Sequence, residues 1–400
     1  MKIAIVSDMH LGYDRFGGDA YGQAKRAIDT AASMADAIII PGDVFDKRVP
    51  NPETISQAIM IFKQLQSKEW GVDVSQSSAT SKSSAKVPIV AISGTHERTA
   101  IGRDNALHIL DLAGLLIDTS ETTTIISKGT ERVAIFGIGG ISEETVVEKL
   151  NELQPRPVDG AFNIFMFHQS VYELLPFSEN FMRLDDLPKG FDLYVDGHIH
   201  NMVEADVHGK KLLIPGSTVI TQLKDSEQDS KGFILFDTKD YGYKFISIGS
   251  RRFISMKIDV TGKDREQIQR SINDVISEAI ESGDRPIIRV KLTGELRHGI
   301  SSSDIGAKGI ISKYSNSAYL DIDTSKMRDP DLEMNIDMVR NAKMNGLSVK
   351  ERGLEILKSQ LNQQSVSMKV NVSEFMDFLV NGPAKNEKML EDALKLLESG

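Results

Sequence analysis

The sequence predicts a layered α/β protein followed by a small α+β unit and a helical tail. Three observations carry this. Through the first 220 or so residues, unbroken apolar runs of strand length alternate with helix-like stretches, as strands covered on both faces require. Between residues 251 and 326 the periodicities become those of one-faced strands and an amphipathic helix. From Met327 onward the pattern is helical, interrupted at Asn345-Gly346 and at Asn381-Gly382-Pro383. The expected domains are therefore 1–250, 251–326 and 327–400.

In chain order, Ile3 to Val6 is a short buried strand, and Tyr21 to Ala35, rich in alanine, is a helix. Ala37 to Ile40 is the second strand, and Thr54 to Gln66 the second helix, with Ile55, Ala58, Ile59 and Phe62 as its apolar positions. Asp73 to Lys86 holds six serines and almost nothing apolar, which predicts an exposed loop. Ile89 to Ile92, Val133 to Phe136, Ile164 to Phe167 and Leu193 to Val195 are further strand-length runs. In the second unit Ile254, Met256, Ile258 and Val260 alternate, and Ile268, Ile272, Val275, Ile276 and Ala279 mark one helix face. Ile287 to Leu292 and Ala318 to Ile322 supply two more strands around a weaker helix near Asp304 to Tyr314. In the tail, Leu354, Leu357 and Leu361 form one stripe and Val372, Phe375, Met376 and Leu379 another. Helices this short are marginal alone, so the stripes need a cover. Seven of the fifteen methionines fall in these last 74 residues, which suits a partner surface and suits packing onto the chain itself equally.

Four hundred residues suffice for two to three domains at about 150 residues each. Hydrophobic residues at 40% and charged residues at 26% are ordinary globular proportions. The net charge of −10 rules out a uniformly basic nucleic-acid coat but not a DNA enzyme, which binds through local patches and metals. With no cysteine, disulfides, thiolate metal sites and cysteine nucleophiles are excluded together. The amino terminus reaches Asp8 after too short an apolar run for a signal peptide, and no run approaches the roughly 18 residues of a membrane span. A soluble, cytoplasmic protein without membrane contact is expected.

The chemistry lies where the polar residues fall. Ile3 to Val6 is followed by Asp8-Met9-His10, Ala37 to Ile40 by Gly42-Asp43, and Ile89 to Ile92 by Gly94-Thr95-His96-Glu97. Ile164 to Phe167 runs into His168, and Leu193 to Val195 leads to Gly197-His198-Ile199-His200. Five strand-like runs thus end in histidines or aspartates that packing does not require. Strand ends of an α/β sheet converge on one edge, where ligands bind. Aspartates with imidazoles suit a borderline divalent cation such as manganese, iron or zinc. The six donors Asp8, His10, Asp43, His168, His198 and His200 exceed the three that an open catalytic zinc takes from its protein, whereas two metals sharing a carboxylate use them all.

At these residues the chain resembles the calcineurin-like metallophosphoesterase superfamily and, within it, the Mre-eleven/SbcD family of double-strand-break repair nucleases of archaeal type. The matching stretches are Ser7-Asp8-Met9-His10-Leu11-Gly12-Tyr13, Phe167-His168-Gln169-Ser170, Asp186-Leu187-Pro188-Lys189-Gly190, Gly197-His198-Ile199-His200 and Ile214-Pro215-Gly216-Ser217. The resemblance implies a four-layer α/β/β/α sandwich over residues 1–250, a DNA-capping α+β domain, and terminal helices that dock a Rad/SbcC-type SMC-like ATPase. It implies a homodimeric, DNA-associated exonuclease and endonuclease of prokaryotic type that uses two manganese ions per subunit. Asp8, His10, Asp43 and His200 are expected on one metal and Asp43, His168, His198 and Thr95 on the other, with Asp43 as the bridge. His96 is expected to face the scissile phosphate rather than a metal.

Three departures stand out. Thr95 replaces the family's ligand asparagine, a poorer donor for the second metal. Asp46 stands where the family usually has a histidine near the phosphate. Phosphatase branches often carry aspartate there, so an Asp46–His96 pair that orients the imidazole and raises its pKa is expected. Glu97 replaces the usual aspartate, a mild change. Lys47-Arg48 and Arg251-Arg252 offer basic contacts for backbone phosphates. The competing expectations are a phosphoesterase of nucleotides, phosphoproteins or small esters, and a catalytically weak scaffold.

Overall fold

The computed structural model describes residues 1–77, 87–98, 104–175, 181–280, 284–333 and Ile336. These fall into two compact units, Met1–Ser255 with Gly283–Ile287, and the remaining described residues. The tail expected to dock an ATPase lies outside the described residues, apart from its first few positions.

The first unit holds two sheets. One has the order β13-β12-β1-β2-β4-β5, from Tyr243–Ser247, Gly232–Asp237, Lys2–Ile5, Ala37–Pro41, Ile89–Ile92 and Ile117–Asp118 respectively. The other runs β10-β11-β9-β8-β7-β6-β3, from Val203–Val207, Lys210–Ile214, Leu193–Asp196, Phe162–Phe167, Glu131–Ile138, Thr123–Lys128 and Asp73–Ser77. Strands β1, β2, β4 and β5 are mutually parallel, as are β7, β8, β9 and β11; antiparallel strands close both edges of the second sheet and the β13 edge of the first, whose other edge is the parallel strand β5.

Alternation along the strands builds the layers. Ile3, Ile5, Ile39, Val90 and Ile92 point from the first sheet onto Ile135, Ile164, Met166, Leu193 and Val195 of the second. Their neighbours Ala4, Val6, Ile38, Ile40 and Ala91 face outward onto α1 (Asp19–Met34), α2 (Pro52–Lys63) and α3 (Ala106–Leu112). Ala24, Ala27 and Ala31 are the small residues α1 turns inward. Asn51 caps α2 through the Thr54 N–H at 2.8 Å, with Pro52 at the first helical position. Beyond the second sheet, Phe136, Phe165, Phe167 and Tyr194 pack with Val146 and Leu150 of α4 (Val146–Leu153). Helices, sheet, sheet and helix make a four-layer α/β/β/α sandwich.

The second unit holds all but the first residues of the sheet β14-β15-β16, from Phe253–Asp259, Ile287–Glu295 and Tyr319–Arg328. It also holds α5 (Arg265–Ile280) and α6 (Ala307–Tyr314). Alternate residues Ile288, Val290 and Leu292 of β15 are buried, as are Ile268, Ile272 and Ile276 along one face of α5. Gln269 and Asn273 of α5 bond to Ile305 O and Tyr314 Oη at 2.9 Å, tying the two helical segments together.

Two expectations need correction. Asp73–Ser77 is not loop but the edge strand β3, paired with β6 from Asp73↔Ser127 to Ser77↔Thr123. Its polar residues suit an edge, while Val72 and Val74 pack on the inter-sheet core. The last strand also runs on to Arg328 rather than stopping at Ile322.

Candidate metal centre

Asp8, Asp43, His96, His168 and His198 all follow carboxyl ends of parallel strands, and the geometry there is costly. Asp8, His10, Asp43 and His198 have φ of 49°, 46°, 49° and 67°. Left-handed backbone costs a non-glycine residue about 1–2 kcal/mol, and such strain gathers at functional sites. The glycines beside them are needed for space. A Cβ on Gly94 would overlap Asp43 Oδ1, and one on Gly42, itself at φ 95°, would overlap His168 Nδ1.

Three sets of donors converge: Asp8, His10 and His200; Asp8, Asp43 and His168; and His10, Asp46 and His96, each within 4.8 Å. The carboxylate common to the first two sets is Asp8. His10 Nε2 and His200 Nε2 are 3.1 Å apart, and Asp8 Oδ1 stands 3.9 and 3.7 Å from them. In the second set His168 Nε2 is 3.2 Å from Asp43 Oδ2. Thr95 donates its hydroxyl to that same oxygen at 3.3 Å, and the His96 N–H donates to Asp43 Oδ1 at 2.9 Å. His198 joins none of the three sets; its ring centroid is 5.3 Å from that of His168, and its Nε2 is 3.0 Å from Ser170 Oγ.

The donors fit divalent cations. Asp8 Oδ1 is fully buried yet makes no hydrogen bond. Two nitrogens about 2.1 Å from one ion, at right angles across it, stand roughly 3.0 Å apart, close to the His10–His200 separation. The outer nitrogens are occupied: His168 Nδ1 donates to the Pro41 carbonyl at 2.7 Å, and His200 Nδ1 meets the Thr221 hydroxyl at 2.7 Å. Such partners fix ring orientation and leave the opposite nitrogen for a metal.

Charge is concentrated where water is scarce. Burial resists ionisation of Asp43, but His168, His10 and the His96 N–H together hold its carboxyl well below the usual range. Burial also disfavours a charged His168, yet Asp43 outweighs it and lifts the imidazole to about 10. Burial and then the His168 charge push His198 down to about 4. A metal taken by His168 Nε2 must displace its proton. Manganese binding at pH 8 is therefore expected to release a proton from His168, and affinity to rise about tenfold per pH unit towards pH 10. Calorimetry in buffers of different ionisation enthalpy measures this; a heat independent of buffer contradicts it.

Asp46 meets His96 differently from the expected pairing. His96 Nδ1 bonds the Asp46 main-chain carbonyl at 2.7 Å, while the Asp46 carboxylate lies 3.9 Å from His96 Nδ1 and 3.3 Å from His10 Nδ1. Its carboxylate therefore bears on His10, and Asp46→Asn leaves the carbonyl contact to His96 in place. Arg251 and Arg252 are likewise committed elsewhere: Arg251 holds Asp19 through two bonds of 2.6 Å, and Arg252 holds Asp284 at 3.0 and 3.2 Å.

Other participants carried little sequence signal. Glu97 is fully buried and accepts the Phe45 and Gly94 N–H groups at 2.8 and 2.7 Å, lashing the loop after β2 to the loop after β4. Glu227, buried against Lys231 at 2.6 Å, comes within 3.4 Å of His200 Nδ1. Asp196, buried below Gly197, accepts the Gln169 N–H at 3.1 Å, and burial pushes its carboxyl up. Only the spacing Glu227-x-x-x-Lys231 hinted at a pair, and in a polar stretch that spacing is common.

Residues 1–202 match the calcineurin-like phosphoesterase family. The chain belongs to that family. With its paired donor sets, this phosphoesterase is a metal-dependent hydrolase of phosphate esters. It is 26% identical over 314 residues to the DNA double-strand break repair protein Mre11 of Sulfolobus acidocaldarius, covering 74% of this chain and 75% of that protein. It is 28% identical over 316 residues to the protein of the same name from Saccharolobus solfataricus, covering 74% and 76%. Among the described residues, no helix of the phosphoesterase is long and apolar enough to cross a membrane.

Proposed function

We propose that this phosphoesterase is a manganese-dependent DNA nuclease that hydrolyses phosphodiester bonds with two metal ions and acts in double-strand-break repair with a Rad/SbcC-type ATPase. The relatives named for break repair support the DNA reading. Their likeness covers 74% of the chain, more than its first unit contains, so it extends into the second unit, which a minimal phosphatase lacks. In this reading Asp8, His10, Asp43 and His200 hold one ion and His168, His198 and Asp43, with Thr95 beside them, the other. The chain works as a homodimer, and its last helices dock the ATPase.

A pair of ions held there supplies an acidified water and offsets charge on the non-bridging oxygens. The chain's own residues do the rest. His96, with its side chain 45% exposed at the pocket, keeps Nδ1 on the Asp46 carbonyl and so presents Nε2 to the phosphate or to the leaving oxygen. Asn201, Gln222 and Lys224 line the same pocket and can position a diester backbone. Lys47 and Arg48, exposed beyond Asp46, can meet phosphates further along a strand.

A second reading, a phosphoesterase of nucleotides, phosphoproteins or small esters, is favoured by the pocket itself. Its volume of about 640 Å³ admits a mononucleotide whole. Manganese-dependent cleavage of labelled duplex and hairpin DNA, run beside nucleotide and p-nitrophenyl esters, decides between them. DNA products are expected; turnover of small esters with intact DNA supports the second reading.

A further inference from the structure

His198 stands apart from the other metal-donor imidazoles, and two residues with no assigned role hold it. Ser170, 4% exposed, lies in the loop that follows β8, just beyond His168 and Gln169. Its Oγ is 2.8 Å from Glu143 Oε1 and 3.0 Å from His198 Nε2. Glu143 is an exposed residue at the rim of the pocket that Ser170 and His198 also line.

A carboxylate only accepts hydrogen bonds, so the single hydroxyl proton of Ser170 is spent on Glu143. The Ser170 oxygen is then an acceptor towards His198, and the ring must bring a proton on Nε2 to satisfy it. Neutral imidazole carries one proton, so Nδ1 is left with the free lone pair. His168 is the mirror case. The Pro41 carbonyl takes its Nδ1 proton, so Nε2, which faces Asp43, is the atom it would give to a metal once the second proton is displaced.

We propose that Ser170, polarised by Glu143, is a positioning residue that fixes His198 as the Nε2–H tautomer and so makes Nδ1 the atom it offers to a metal. This rests on the reading of His198 as a metal ligand. Two neighbouring histidines then offer opposite ring nitrogens, so exchanging their outer partners would turn each donor away from its ion. The Glu143 charge at the rim also links the outer edge of the pocket to a ligand inside it.

Histidine-selective 15N labelling of the metal-free full chain at pH 8, with His198 assigned from its loss in His198→Gln, reads the tautomer directly. The wild type should show Nε2 protonated and Nδ1 bare. Ser170→Ala should mix the tautomers and weaken one of the two manganese sites by about tenfold or more, the usual effect of removing an outer partner. Ser170→Thr, which keeps the hydroxyl, should restore both. Glu143→Ala frees the serine proton to turn towards Nε2 and should shift His198 towards Nδ1–H. A wild-type Nδ1–H ring overturns the proposal, as does a Ser170→Ala variant with unchanged tautomer or unchanged manganese affinity. Neither readout uses a phosphate ester. A chain that binds two ions but spares DNA therefore removes the nuclease reading alone, and an unmoved tautomer removes the Ser170 assignment alone.

Discussion

Asp43→Ala is expected to abolish phosphoester hydrolysis while leaving the metal-free chain folded. The carboxylate touches His168 Nε2, the His96 N–H and the Thr95 hydroxyl at 3.2, 2.9 and 3.3 Å, so one side chain organises three loops. Its removal takes away the anion nearest His168 and with it the charge that neutralises a bound cation. Losing several kcal/mol of metal-borne stabilisation corresponds to a fall of roughly a thousandfold or more in rate. Folding suffers less. Without Asp43, His168 sheds its proton and remains as a neutral imidazole on the Pro41 carbonyl. Alanine at φ 49° adds strain of about 1–2 kcal/mol, which Asp43→Asn avoids because asparagine tolerates that backbone. Both variants, assayed on a small diester with manganese and melted without it, should lose turnover and keep a cooperative transition. Turnover retained in either contradicts the assignment of Asp43.

Glu97→Ala should do the reverse, damaging the fold of the metal-free protein. It strands the Phe45 and Gly94 N–H groups in a site without water, at about 1–3 kcal/mol each. Burial and then the Asp43 charge push the Glu97 carboxyl up to about 8, against the two N–H bonds that favour the anion. Its folded pKa therefore lies above the unfolded value. The stability Glu97 contributes is complete below about pH 4.5 and is lost as pH rises through about 8. The gap in melting temperature between wild type and Glu97→Ala should be wide at pH 5.5 and narrower at pH 9. Equal gaps contradict a neutral Glu97, and no gap at either pH contradicts the brace.

These two residues show what the sequence discloses and what it hides. Asp43 was legible because a polar residue after an unbroken apolar run has no packing reason to be there, and five such runs recur in order. Buried parallel strands are easy to read for the same cause: Ile89–Ile92 is apolar at every position because both faces are covered. The edge strand Asp73–Ser77 was not legible, since one row of neighbours and a solvent side leave a polar sequence free to look like loop. Glu97 looked like a mild exchange because the sequence cannot tell which main-chain N–H groups a carboxylate will meet. The Asp46–His96 contact was placed on the right pair of residues but on the wrong atoms. A side chain was expected where a carbonyl does the bonding, and the freed carboxylate turned to His10. Ser170 lay inside a recognised stretch, yet its task depends on Glu143, some 27 residues away in sequence.

One pocket, lined by the strand-end aspartates and histidines, is expected to hold a pair of cations. Manganese titration of the metal-free full chain, followed by electron paramagnetic resonance, measures it. Two ions per chain are expected, close enough at about 3.5–4 Å for their spins to couple. The coupled signal should vanish in His200→Ala. A chain that binds no manganese, or binds it only as isolated uncoupled ions, contradicts the account.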